Sequence, residues 1–169
     1  MSIPGSFRVR FAIFAFVMSV CAECMAAPLE LLADADSYIR SGQYADDNYG
    51  TISSLVVKTA GTDYDRHTYI RYLLPAGLPT LDTAELRLQV ANNFHDNGVT
   101  PVVRTLRVFG LSDSSAGQDW GETSITWNTA PGLLGGHPDA SETTDLGTIT
   151  VPAIDCRQNT VIISLRNRQ

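Results

Sequence analysis

From residue 27 onward, no stretch of 10–12 residues carries apolar side chains at i, i+3, i+4 and i+7. A helix needs that pattern to bury one face. What recurs instead is short runs with a period of two, closed by Gly, Pro, Asn and Asp. Strands are predicted at Ala35–Arg40, Ser53–Lys58, Thr68–Leu74, Ala84–Ala91 and Arg104–Leu111, with weaker ones at Ser124–Trp127, Asp145–Val151 and Thr160–Leu165. Eight short strands with no helix between them point to an antiparallel β-sandwich of jelly-roll type. Alternation then assigns faces. Leu86 and Leu88 are expected inside and Glu85 and Arg87 outside; Leu106 and Val108 inside and Arg107 outside. The same rule sends Leu55, Val57, Ile70, Tyr72 and Leu74 inward and Val56, Lys58, Tyr69 and Arg71 outward. The run Asn92–Pro101 reads as a longer loop with Asn97-Gly98 at its turn.

Residues 1–26 stand apart. Arg8 and Arg10 precede the apolar run Phe11–Cys21, and Met25-Ala26-Ala27 supplies small residues for cleavage. This is the layout of a secretory signal peptide. The run is shorter than the roughly 20 residues a bilayer span requires. A secreted product, extracellular or periplasmic, is therefore expected, with no membrane partner and residues 27–169 as one domain. That segment carries 17 acidic and 10 basic groups, a net charge of −7. Such a balance lacks the positive footprint that nucleic acid demands. Cys156 is its single cysteine, so no internal disulfide can staple it.

Three stretches carry a resemblance. The first is Ala33-Asp34-Ala35-Asp36-Ser37-Tyr38-Ile39-Arg40, followed by Asn48-Tyr49-Gly50 and Leu55-Val56-Val57-Lys58. The second is Asp65-Arg66-His67-Thr68-Tyr69-Ile70-Arg71-Tyr72, followed by Ala84-Glu85-Leu86-Arg87-Leu88. The third is Trp120-Gly121-Glu122-Thr123-Ser124-Ile125-Thr126-Trp127-Asn128-Thr129-Ala130-Pro131. In this order and spacing they resemble the DNRLRE domains, also described as carbohydrate-binding module family 96. The resemblance implies a non-catalytic jelly roll of the kind that accompanies secreted polysaccharide lyases, and for some members an acidic polysaccharide ligand such as alginate. Members continue past the strand matching Val161–Leu165. The sequence here stops at Gln169, so a sandwich lacking its last strand is expected, with an open edge through which copies associate.

Lys58, Arg66, Tyr69 and Arg71 are the candidate ligand residues. An arginine grips a carboxylate through two parallel bonds, and a tyrosine ring packs on a sugar face. A plain solvated sheet face is the competing reading. Asp34, Asp36, Asp47 and Asn48 offer hard oxygens of the type calcium takes, and they are equally good turn formers. Trp120 and Trp127 suit either sugar stacking or, preferred here, a plug at the end of a sandwich. His67 and Tyr69 could serve a lyase as base and acid, but no nucleophile elbow, metal spacing or phosphate loop accompanies them. The expectation is a binding module rather than an enzyme, with an adhesive or structural surface domain as the alternative.

Overall fold

The computed structural model describes residues 29–61, 63–78, 83–90, 102–112, 119–153 and 160–166. The expected signal peptide, the expected Asn92–Pro101 loop, His95 and Cys156 lie outside these. Every described element belongs to one unit, Leu31–Gln169. The strands are β1 Ala35–Arg40, β2 Arg66–Arg71, β3 Thr83–Gln89, β4 Arg104–Leu111, β5 Leu133–Leu134, β6 His137–Pro138, β7 Thr143–Val151 and β8 Thr160–Arg166. A single 3-10 turn at Gly42–Tyr44 is the helical element among the described residues. All pairing is antiparallel: β1 with β2, β3 with β8, β4 with β7, and β5 with β6. The fold is thus all-β, as the period-two runs require.

β1 and β4 have the bounds read from the sequence, and β3, β7 and β8 differ from theirs by one or two residues. In β3 and β4, Leu86, Leu88, Leu106 and Val108 are half-buried, while Glu85, Arg87 and Arg107 are exposed, as alternation predicts. Between Val108 and Phe109 the β4–β7 register slips, leaving Leu146 as an extra residue beside Gly147. Gly147 sits at φ 113°, a conformation glycine adopts without strain, so the bulge falls there.

Two expected strands are absent. Ser53–Lys58 contributes one isolated bridge, Lys58 to Arg66, and its alternation is inverted: Leu55 and Val57 are 36% and 53% exposed, and Val56 is half-buried. Ser124–Trp127 is a chain of turns, with Ser124 and Ile125 amides both reaching the Gly121 carbonyl. The short hairpin β5–β6 follows instead.

The innermost cluster is Ala35, Ile39, Trp120 and Ile125, with Tyr69, Leu111, Trp127, Ala130 and Leu133 packed against it. Ile39 is fully buried, which is worth about 2 kcal/mol of apolar transfer. The register explains who joins it. Ala35 faces Arg71, Ser37 faces Tyr69 and Ile39 faces His67, and directly opposed residues in an antiparallel pair share one side. Tyr69 and Arg71 therefore point into the core side, not outward. The outward assignment fails because β2 is half-buried along its whole length, with both faces covered. Alternation reports burial only where one face is wet, and here Tyr69, an aromatic with a polar tip, takes the inner position.

Candidate functional site

The opposite side of β1–β2 gathers cations and phenols. Arg40 lies opposite Arg66 in the ladder. Lys58 lies opposite Arg66 on its other flank, exchanging backbone bonds of 3.1 and 2.8 Å with it. Lys58, Arg66 and Arg40 thus form one row across three adjacent segments. Like charges directly opposite each other on a sheet are destabilising. Among the described residues none of the three has an ion pair, whereas Arg71, Arg87 and Arg107 each pair with a carboxylate.

Tyrosines offset part of that repulsion. The Arg40 guanidinium lies 3.5 Å from the Tyr44 ring centre and 5.2 Å from that of Tyr64; Arg66 lies 5.9 Å from Tyr38. Such contacts are worth about 0.5–1 kcal/mol where exposed and more where dry. Tyr38 and Tyr49 stack at 4.4 Å with planes 18° apart. Burial raises the Tyr49 hydroxyl above its ordinary pKa, with Arg40 pulling the other way. The Nε atoms of Arg40 and Arg66 are buried and find no hydrogen-bond partner among the described residues. Unmet buried donors cost about 1–3 kcal/mol each.

The loop carrying Tyr49 is riveted in place by Asn48. Its Nδ2 donates to the carbonyls of Glu122, at 2.8 Å, and Ile125, at 2.7 Å, while its Oδ1 accepts the Gly50 amide at 3.1 Å. Gly50 is buried directly against the Glu122 carbonyl, where any Cβ would collide. Thus Asn48-Tyr49-Gly50 and the Trp120–Pro131 stretch, far apart in sequence, are one structural unit.

The structure therefore divides the sequence-derived candidates. Lys58 and Arg66 share the outer row. Tyr69 and Arg71 lie on the inner side, each already engaged. The Tyr69 hydroxyl donates to the Pro131 carbonyl at 2.9 Å, and burial pushes its pKa up to about 12. Arg71 holds the Asp34 carboxylate at 3.0 and 2.7 Å and donates to the Trp120 carbonyl at 2.7 Å. Sequence reasoning missed Arg40, Tyr38, Tyr44, Tyr49 and Tyr64. Strand parity puts residues 38 and 40 on the side opposite 37 and 39, although Tyr38 is itself buried.

The four calcium candidates are not brought together. Asp34 binds Arg71, Asn48 spends its amide on the loop, and Asp47 meets the Tyr49 hydroxyl at 3.5 Å. Asp36 lies opposite Ile70 on the outer side of the pair. Among the described residues no three His, Cys, Asp or Glu side chains converge on a common point. His67 packs on Trp127 at 5.0 Å, and burial holds its pKa below the usual value, against Asp65 and with His137. Trp120 belongs to the buried cluster, and Trp127 is half-buried against it.

The all-β unit thus carries a row of cations among tyrosines on one side of β1–β2 and engages Tyr69 and Arg71 internally on the other. The chain matches the model of carbohydrate-binding module family 96 over residues 27–148 and belongs to that family. It is a non-catalytic class of module whose partner is carbohydrate. No curated protein matches the chain. Among the described residues no helix is long and apolar enough to cross a membrane.

Proposed function

We propose that this is a secreted, non-catalytic module that binds an acidic polysaccharide of the alginate type through the Lys58–Arg66–Arg40 row and its tyrosines. The observation that carries the reading is that row: three cations opposed across adjacent segments with no ion pair among the described residues, at a cost to the fold. A uronate carboxylate removes the repulsion and accepts charged hydrogen bonds from the guanidinium ends, while Tyr44, Tyr49 and Tyr64 offer ring faces to the sugar. The net charge of −7 does not oppose this, because screening limits the field of distant acids to about 8 Å at physiological salt. Export through a signal peptide in residues 1–26 would place the module where such polymers occur. A jelly-roll closure of the sheets is part of the same reading.

Calorimetry with oligouronates and with neutral glucans of equal length tests it. We expect Kd values on the order of 10 μM to 1 mM for the uronates, weakening with salt, and no heat from the glucans. Equal affinity for both, or none for either, would leave the adhesive or structural alternative.

A further inference from the structure

A cleft of about 500 Å3 opens where the β1–β2 pair ends. Ser41 and Asp65 continue the ladder into it: the Ser41 amide donates to the Asp65 carbonyl at 3.0 Å, and the Asp65 amide to the Ser41 hydroxyl at 2.9 Å. By parity both follow Ile39 and His67, so the cleft belongs to the inner side. Its other walls come from Trp127, Asn128, the β5–β6 turn and the loops at Gly42, Ala45 and Gly61.

We infer that this cleft is a second carbohydrate site, taking one neutral sugar residue on the ring of Trp127. Its volume lies within the range of small-ligand pockets. Trp127 is half-buried, braced by the His67 ring at 5.0 Å on the core side and by Gly136 beside its edge. A braced indole with one side in a cleft is a flat apolar wall for the C–H face of a pyranose. Around it stand hydroxyl partners of mixed type. Asp65 is fixed by the Ala60 amide on Oδ1 at 2.6 Å. Asn128 donates through Nδ2 to Asp46 at 2.7 Å, which fixes the amide and leaves its oxygen as an acceptor for a hydroxyl. His137 is exposed at the rim.

Charge selects the class of sugar. The carboxylate of Asp65 accepts from hydroxyls and repels a uronate, so this site favours a residue the cation row does not. The lips are formed by glycines at positive φ, Gly42 at 71° and Gly136 at 83° among them, so no side chain from these positions crosses the mouth. The two sites lie on opposite sides of one strand pair, and the second stands whether or not the first binds uronates.

The chain has two tryptophans, so its indole N–H signals give a direct readout. Titrate 15N-labelled protein with xylotriose, cellotriose, mannotriose and a uronate trisaccharide. Assign the two signals with Trp120→Phe. At least one neutral trisaccharide should move the Trp127 signal saturably, with Kd on the order of 1 mM, and leave that of Trp120 in place. Asp65→Asn and Asn128→Ala should each weaken this about fivefold or more; Arg40→Ala should not change it. If no neutral sugar moves the Trp127 signal at about 50 mM, or if only the uronate moves it and Arg40→Ala abolishes the shift, the cleft is not a separate site.

Discussion

The two sides of the β1–β2 pair are made from similar residues and do opposite work. Inside, the Tyr69 hydroxyl and the Arg71 guanidinium are bonded to Pro131, Trp120 and Asp34. Outside, Tyr38, Arg40 and Arg66 stack and repel, and two guanidinium nitrogens find no partner among the described residues. The inner side spends arginine and tyrosine on stability. The outer side holds the same residue types in an arrangement of opposed like charges that lowers stability. Residue type alone does not distinguish a ligand contact from a structural clamp; the partner count of each polar atom does.

The comparison breaks most visibly at the core. Ile39→Ala should cost about 3–4 kcal/mol by leaving a cavity, read as a lowered denaturant midpoint, while glycan affinity of the folded fraction stays unchanged. A loss below about 1 kcal/mol would mean the inner side is not the packed one. Asn48→Ala comes next, at about 2–3 kcal/mol, since two carbonyls lose their donor. It should also weaken binding, because Tyr49 loses its anchor, and so it links the two sides.

Alkaline titration sharpens the inner account. The Tyr69 pKa is raised from 10.0 to about 12, so its stabilisation is complete below pH 10 and lost as pH rises through about 12. The loss should be about 2–3 kcal/mol by linkage. Melting wild type and Tyr69→Phe between pH 9 and about 12 should show the steeper decline in wild type; parallel curves would contradict a buried, bonded phenol. The smallest stability effect belongs to the outer row. Arg66→Gln relieves like-charge repulsion and should change the midpoint by no more than about 0.5–1 kcal/mol, in either direction, while lowering uronate affinity. A large destabilisation would make Arg66 a structural residue.

The class of fold was legible because period-two patterning survives in any antiparallel strand, and in β3 and β4, each with a wet face, the faces of Leu86, Leu88, Leu106 and Val108 read correctly while Ala84, expected inside, is exposed. β2 did not, because a strand covered on both sides has no polar face to set the phase, and Ile70 outweighed Tyr69 in a hydrophobicity reading. The same inversion placed Arg71 beside Lys58, although strand parity within β2 separates Arg66 from Arg71. The row needed Arg40, and only register can reveal that residues 40, 58 and 66 lie side by side. The role of Asn48 was equally hidden: its sequence context is that of a turn, and its partners lie more than seventy residues away.

The central claim is that ligand binding belongs to the outer side of β1–β2. Calorimetry of an oligouronate against wild type, Arg40→Ala, Arg66→Ala and Arg71→Ala, each confirmed folded, tests it directly. The account predicts that Arg40→Ala and Arg66→Ala each weaken binding about tenfold, near 1.4 kcal/mol, and that Arg71→Ala destabilises the fold yet binds as wild type does. Full affinity in Arg40→Ala and Arg66→Ala, with loss confined to Arg71→Ala, would contradict it.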